Sequence, residues 1–166
     1  MNKALVFTIL LLLLAGCTNL ATKTELIDHG NFSIAKPLTW TEKEDSGIYS
    51  YTPTAKDSGE RISFFISVVP LNMSQSLEKL IDLGLTNAKQ KFKDLNIITK
   101  ARKAKLGQLD GLQVQFNGTV GQNSMTFTQI FAKQQNRIYT LTYACPSNVC
   151  NSYGTFYQIA SDIKIR

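Results

Sequence analysis

The chain has 166 residues and carries 18 basic and 12 acidic side chains, which gives a formal net charge of +6 at pH 7. Hydrophobic residues make up 43% of the chain and charged residues 18%, proportions that exclude an intrinsically disordered chain and a polytopic membrane protein. The length is sufficient for a single domain with its own hydrophobic core.

The amino-terminal stretch has the pattern of a bacterial export signal. A single positive charge, Lys3, precedes an apolar run that begins at Ala4 and ends in the small residues Ala15 and Gly16. This run is too short for a permanent membrane-spanning helix, which needs ~20 residues. We therefore predict a lipoprotein signal peptide over residues 1–16.

The residues Leu-Ala-Gly-Cys at positions 14–17 resemble the lipobox of bacterial lipoproteins. In that family the cysteine thiol takes a diacylglycerol, the signal is cut before the cysteine, and the new amine is acylated. The resemblance implies that Cys17 is the lipid attachment site and that the protein is anchored in the cell envelope, facing the periplasm. Thr18 and Asn19 lack the aspartate of an inner-membrane retention signal, which favours the outer membrane.

The residues after the cysteine contain few apolar side chains, so residues 17–30 are predicted to be a lipidated tether to a domain over residues 31–166. His29 is the only histidine, and no second histidine exists to share a metal or to support catalysis, so we expect a solvated linker residue. Cys145 and Cys150 are an even pair in a chain exported to an oxidising compartment, which predicts a disulfide.

The first half of the domain contains three predicted strands and one long helix. Alternating apolar and polar residues predict strands over 32–36, 48–52 and 62–69. Trp40 is expected to cover one end of a core. The acidic residues Glu42, Glu44 and Asp45 are expected to lie in a solvated loop. Apolar residues at steps of three and four then predict a helix over 75–94. Gly84 falls on its apolar face, so a close approach to the sheet is expected there.

The second half contains four strand-like segments, over residues 97–106, 112–120, 125–133 and 137–143. Short, turn-rich joins separate them, which predicts antiparallel neighbours and therefore a meander. Apolar residues at helical spacing predict a C-terminal helix; they are Tyr153, Phe156, Tyr157, Ala160 and Ile163. The predicted fold class is α+β, a mostly antiparallel sheet with the long helix and the C-terminal helix packed against it.

This order of elements resembles the PsbP-like superfamily, which includes PsbP of photosystem II, the Ran-binding Mog proteins and DcrB-type envelope lipoproteins. The resemblance rests on the stretches 32–40 (FSIAKPLTW), 137–143 (RIYTLTY) and 161–164 (SDIK). It covers the chain from about Asn31 onward and implies the fold and an accessory or binding role. It transfers no functional residue, because the matching positions are core and turn positions.

No catalytic motif stands out in the sequence, which lacks a glycine-rich phosphate loop, a nucleophile elbow and zinc-binding spacings. We therefore expect a protein that is not an enzyme and that uses no cofactor and no metal. The expected function is that of a lipid-anchored binding or accessory protein with an envelope protein partner. The alternative is a carrier of a small apolar or lipid ligand in a cavity between sheet and helix.

Positive charge is concentrated between residues 89 and 105, a segment that contains seven basic residues and one acidic residue. The basic residues are Lys89, Lys91, Lys93, Lys100, Arg102, Lys103 and Lys105. Such a segment suits an anionic lipid surface or an acidic protein. A solvated helix end followed by an edge strand that lysines protect from aggregation is the interpretation that we favour. Nucleic acid is not expected, because the segment lacks interleaved aromatic residues and the protein is exported.

Overall fold

The structure, a computed structural model, describes residues 23–53, 62–70, 75–150 and 153–166. The described residues form ten strands and two helices. In chain order these are β1 (Thr24–Asp28), β2 (Phe32–Pro37), β3 (Trp40–Asp45), β4 (Ile48–Pro53), β5 (Ser63–Pro70), α1 (Leu77–Lys91), β6 (Lys93–Leu106), β7 (Leu109–Val120), β8 (Asn123–Gln134), β9 (Arg137–Pro146), α2 (Tyr153–Asp162) and β10 (Lys164–Ile165).

Seven strands form one antiparallel sheet in the order β3-β4-β5-β9-β8-β7-β6. The predicted meander is present as the four consecutive strands from β6 to β9. The long helix α1 connects β5, near the middle of the sheet, to β6 at its edge. The α+β prediction is confirmed, with strand content larger than the sequence pattern indicated.

The remaining strands form a three-stranded sheet in the order β1-β2-β10. The tether prediction is wrong from Thr24 to Asp28, because this segment pairs in register with β2. Most of its side chains are exposed, so backbone pairing holds the strand and no apolar alternation marks it in the sequence. Cys17 and the signal peptide lie outside the described residues.

The acidic loop prediction is also wrong. The segment Trp40–Asp45 is the edge strand β3, and it pairs along its whole length with β4. Its acidic side chains are exposed, which is compatible with an edge strand and hides its strand character in the sequence. Trp40 itself is partly buried against the core, with its ring 4.9 Å from that of Phe64.

The large sheet is covered on both faces. On one face Tyr139, Leu141 and Tyr143 of β9 belong to a core shared with α2 and β2. On the other face Ile138 belongs to a second, smaller core that includes Ile81 of α1. Successive residues of a strand point to opposite faces, so one strand supplies both cores. None of the described helices is long and apolar enough to cross a membrane.

The long helix is shorter than predicted, because it spans Leu77–Lys91 and not residues 75–94. Ser76 is its N-cap, and the Ser76 hydroxyl accepts a hydrogen bond from the Lys79 N–H at 3.3 Å. At the other end the Phe92 N–H donates to the Ala88 carbonyl at 2.8 Å. Phe92 itself has extended backbone angles, with φ −105° and ψ 128°, so the helix ends there and β6 follows from Lys93.

Two glycines differ in what surrounds them. The expected close approach at Gly84 is wrong, since a Cβ built there meets no atom within 4 Å. Gly107, in the β6–β7 turn, has a φ of +58°, and a Cβ there would overlap the Ile163 carbonyl oxygen. The Gly107 N–H donates to the Ala160 carbonyl at 2.6 Å. Gly107 thus lets the turn pack directly on the end of α2.

We expect Gly84→Ala to raise the free energy of unfolding by about 0.5–1 kcal/mol, because alanine loses less backbone entropy in a helix interior. Urea denaturation of the purified protein measures this change. Gly107→Ala is the contrasting variant and should lower stability, because its φ and its contact with Ile163 both oppose a side chain. A loss of stability in Gly84→Ala would contradict the open surroundings of that residue.

Candidate functional site: a basic edge strand and its two clefts

Strand β6 forms one edge of the large sheet, and among the described strands it pairs only with β7. Its pairing with β7 has register shifts between Lys93 and Asn96, between Ile97 and Thr99, and between Thr99 and Arg102. Such irregularities bend an edge strand and discourage indiscriminate pairing with other strands. The other edge of this 14-residue strand pairs with no described strand.

The structure divides the predicted basic segment into two parts. Lys89 and Lys91 lie in the last turn of α1, where positive charge interacts favourably with the helix dipole. Lys93 begins β6 and pairs with Thr119 through the backbone. The other four residues lie further along β6 with exposed side chains; they are Lys100, Arg102, Lys103 and Lys105.

Only weak interactions neutralise this charge among the described residues. Lys105 Nζ lies 3.8 Å from Asp110 Oδ1, and both side chains are largely exposed, so the pair contributes little to stability. Arg102 Nη2 donates to the Tyr157 hydroxyl, which carries no formal charge, at 3.3 Å. The edge therefore presents a row of cations whose charge an acidic partner could balance.

A cleft of about 440 Å³ lies on the α1 side of β6. It is bounded by the start of α1, where Leu77 and Glu78 lie, and by the β6–β7 hairpin, where Lys103, Asp110 and Leu112 lie. Its walls thus combine apolar surface with both signs of charge. This mixture suits part of a protein surface better than a purely apolar ligand.

A second cleft of about 290 Å³ lies on the α2 side of β6. Arg102 donates to the Tyr157 hydroxyl, and that hydroxyl donates to Gln113 Oε1 at 3.1 Å. Gln113 is buried. This chain of hydrogen bonds leaves other guanidinium N–H groups of Arg102 available to a carboxylate or a similar anion.

The space between the two sheets beside Trp40 is nearly filled. The cavity there has about 180 Å³ of empty space, yet it is nowhere wide enough for a water molecule. Ile34, Tyr51, Phe64 and Ile159 are among its lining residues. A drug-sized ligand needs ~300 Å³ or more, so this cavity does not fit the ligand of a carrier.

The prediction for His29 as a solvated linker residue is wrong. Its side chain is only 10% exposed, and its Nε2 lies 2.9 Å from the Tyr51 hydroxyl and 3.3 Å from Glu42 Oε1. Its ring also packs against those of Phe32 and Tyr49. Residues from β2, β3 and β4 thus surround His29, which joins the small sheet to the edge of the large one.

The His29 contacts serve to hold the two sheets together. The imidazole has polar partners in Tyr51 and Glu42 and aromatic rings on its faces. These contacts stabilise the packing of the small sheet against the large one. Within the described ranges no group of three or more His, Cys, Asp or Glu side chains could hold a metal ion. No periodicity in the sequence signals this cluster, since its members are separated by turns and meet only in the fold.

A disulfide joins Cys145 to Cys150, with a Cα–Cα distance of 5.4 Å. Cys145 lies near the end of β9, and Cys150 precedes α2. The Tyr153 hydroxyl in the first turn of α2 accepts a hydrogen bond from Gln115 Nε2 at 2.6 Å. The bridge and this hydrogen bond together fix the start of α2 against the sheet.

No family model matches the chain, and no curated protein matches it either. Solved structures do match. Cyanobacterial PsbP from Synechocystis aligns with a TM-score of 0.65 and 12% identity over 91% of this chain and 98% of that one. The chain has the PsbP-like fold. This observation confirms the resemblance noted in the sequence, at the level of the fold.

Two further structures support this assignment of the fold. LpqN of Mycobacterium tuberculosis, described as involved in cell envelope biogenesis, aligns with a TM-score of 0.59 and 11% identity over 86% of this chain and 90% of that one. A Bacteroides thetaiotaomicron protein aligns with a TM-score of 0.60 and 17% identity over 87% of this chain. The chain spans 48% of the Bacteroides protein.

We expect Tyr51→Phe to reduce the loss of stability at alkaline pH. Burial raises the pKa of the Tyr51 phenol, and the charge of Glu42 raises it further. The unfolded chain releases this proton near pH 10, whereas the folded protein retains it, so stability falls as pH rises above 10. Urea denaturation at pH 7, 10 and 11 measures the slope, and an unchanged slope in Tyr51→Phe would contradict this account.

Proposed function

We propose that this protein is a lipid-anchored binding or accessory protein of the bacterial envelope, located outside the cytoplasm, that receives an acidic partner segment along β6. The observation that carries the proposal is the open basic edge of the sheet, where β6 pairs only with β7 among the described strands. We propose no cofactor and no catalytic step for this protein.

The cellular location in this proposal comes from the lipobox-like residues at positions 14–17. LpqN, which is involved in cell envelope biogenesis, has the same fold, and this supports an envelope role. Within the envelope, the residues after Cys17 favour the outer membrane. The acyl chains at Cys17 would confine the domain near its partner and raise the partner's effective concentration.

The mode of binding follows from what an edge strand offers. An unpaired edge presents N–H and C=O groups that an extended segment can satisfy by adding a strand. Lysines on such an edge disfavour pairing with neutral or basic strands, and in particular with a second copy of β6. The same charges attract an acidic segment, so one feature both prevents aggregation and selects a partner.

The two clefts beside β6 extend this surface. The cleft on the α2 side has Arg102 and Tyr157 in its wall, and the cleft on the α1 side has Leu77 and Leu112. Side chains of an added strand point alternately to the two faces of the sheet. Successive partner side chains would therefore enter opposite clefts, acidic ones beside Arg102 and apolar ones beside α1.

A carrier function is the second candidate, and one observation limits it. The cavity beside Trp40 is too narrow for a water molecule. The larger clefts are open at the surface and have charged walls. A lipid or another apolar ligand would need an enclosed apolar site, which makes a partner protein the better candidate.

We expect the triple change Lys100→Glu, Lys103→Glu and Lys105→Glu to weaken partner binding strongly. Crosslinking of intact envelopes, followed by mass spectrometry, should recover a specific adduct from the wild type and at least about tenfold less from the variant, because the reversal places carboxylates opposite an acidic partner and tenfold corresponds to ~1.4 kcal/mol.

The control changes Lys43, Lys79 and Lys164 to glutamate. These residues are exposed, and none of them belongs to β6 or is among the residues that line its two clefts. The control has the same net charge as the edge variant. It should retain the adduct. Equal yields from the two variants would show that β6 is not the binding surface.

We expect Cys17→Ser to abolish acylation, which labelling with radioactive palmitate measures directly. A form released by a cleavable secretory signal should fold, because the residues of the two described cores all lie at Ile27 or later. At matched periplasmic abundance it should fail to complement a deletion strain, since confinement near the partner is lost. Full complementation would refute the need for the anchor.

A further inference from the structure

The two ends of the large sheet differ in how close they lie to Lys23. At one of them the strand pairings bring four strand ends together. Strands β3, β5 and β6 begin at this end, with Trp40, Ser63 and Lys93, and β9 ends there with Pro146. We call it the proximal end. Lys23 lies at it, because the Leu38 N–H, two residues before Trp40, donates to the Lys23 carbonyl at 3.0 Å.

Chain length ties this end to the proposed anchor. Lys23 is six residues after Cys17, and six residues span at most ~20 Å even when fully extended. If Cys17 carries acyl chains, the proximal end lies within that distance of the bilayer. This step rests on the proposed function, which supplies the anchor.

Exposed apolar side chains lie at both corners of the proximal end. Leu38, in the β2–β3 turn, is 52% exposed, and Val120, the last residue of β7, is 44% exposed. Strands β3 and β7 are five strand spacings apart in the sheet, or ~24 Å. Two apolar contacts at this separation would orient the domain and not merely hold it at one point.

The charge at this end also suits an anionic lipid surface. Lys23 is at the proximal end, and so are Lys89 and Lys91, in the last turn of α1 just before β6 begins. The acidic residues described there are Asp94, which is exposed, and Glu25, whose Oε1 lies 2.6 Å from Lys36 Nζ. The described cations that lack an acidic partner thus outnumber the free carboxylates.

The opposite, distal end carries charges of both signs. Asp45 and Asp110 lie in or beside the β3–β4 and β6–β7 turns, and Asp28 ends β1. Asp162 ends α2 beside the β6–β7 turn. Asp28 is paired there with Arg166 and Asp110 with Lys105, and Lys133 and Arg137 lie at the same end. Charge alone therefore does not exclude the distal end from an anionic bilayer, and the short distance to the anchor is what favours the proximal end.

We infer that the proximal end docks on an anionic bilayer surface, with Leu38 and Val120 at the level of the lipid head groups. The strands then run away from the membrane, and β6 presents its open edge to the periplasm along the length of the domain. The lysines of the predicted basic segment thus have two roles: Lys89 and Lys91 face lipid, and those of β6 face a protein partner.

The test uses the acylated, full-length mature protein in vesicles of phosphatidylethanolamine and phosphatidylglycerol. Single cysteines replace Leu38 or Val120 at the proximal end, and Ile48 or Val69 at the distal end, each carrying a nitroxide label. Ile48 is 48% exposed and Val69 50%, so the two pairs are matched. Under non-reducing conditions Cys145 and Cys150 stay bonded to each other and take no label.

The measurement is the accessibility of each label to lipid-soluble oxygen relative to a water-soluble nickel chelate. This ratio should be at least about threefold higher at the proximal labels, as expected for side chains at the head-group boundary. Vesicles of phosphatidylcholine alone, or the paired changes Lys89→Glu and Lys91→Glu, should bring the proximal ratios down to the distal values. The changes Lys43→Glu and Lys79→Glu should leave them high.

Equal ratios at all four positions on acylated protein would overturn this inference and leave the anchor intact. A proximal preference that persists in phosphatidylcholine would overturn its electrostatic part. Intact-mass analysis is run on the same samples, and absence of acyl mass at Cys17 would overturn the proposed anchor together with this inference. The two failures are therefore distinguishable.

Discussion

The burial of β9 on both faces is the constraint on which the rest of the structure depends. Its residues alternate between two cores, with Tyr139, Leu141 and Tyr143 on one face and Ile138 on the other. A strand buried in this way needs a layer on each side. Helix α2 and the small sheet supply one layer, and α1 supplies the other. The long connection through α1 follows from this requirement, because it must cross one face to reach the edge.

Both faces of the large sheet are covered, so its open sides are its two edge strands. These two edges have opposite charge. Strand β3 carries Glu42, Glu44 and Asp45, whereas β6 carries lysines and Arg102. Like edges repel, so neither edge favours pairing with its own copy. The register shifts of β6 add a geometric obstacle to indiscriminate strand addition. What remains is an edge suited to a partner of complementary charge.

The His29 cluster shows how a small sheet can be held at the side of a larger one. Strand β1 buries little apolar surface, and its position depends on pairing with β2 and on the turn that follows it. In that turn His29 contacts Tyr51 and Glu42 of the large sheet. Arg166, at the other end of the chain, donates to Asp28 at 2.8 Å. Hydrogen bonds and ion pairs thus hold β1 in place, because the strand itself contributes little to the core.

The sequence by itself determined the fold class, the four-strand meander, both helices and the cysteine pair. These elements have strong local patterns: alternation in β7 to β9, helical spacing from Leu77 to Phe92, and turn residues between strands. It also located the positive charge, since charge is a property of composition. The basic segment was predicted as one unit, however, because a linear pattern carries no information on which end of a strand lies near another element.

Only the tertiary structure decided the roles of β1, β3 and His29. Strands β1 and β3 are exposed edge segments without apolar alternation, so their pairing partners, and not their own residues, make them strands. His29 became buried because Phe32, Tyr49 and Tyr51 close around it. Likewise, the separation of Lys89 and Lys91 from the cations of β6 exists only after α1 packs on the sheet. Contacts between residues far apart in sequence depend on the whole fold, and a local pattern cannot specify them.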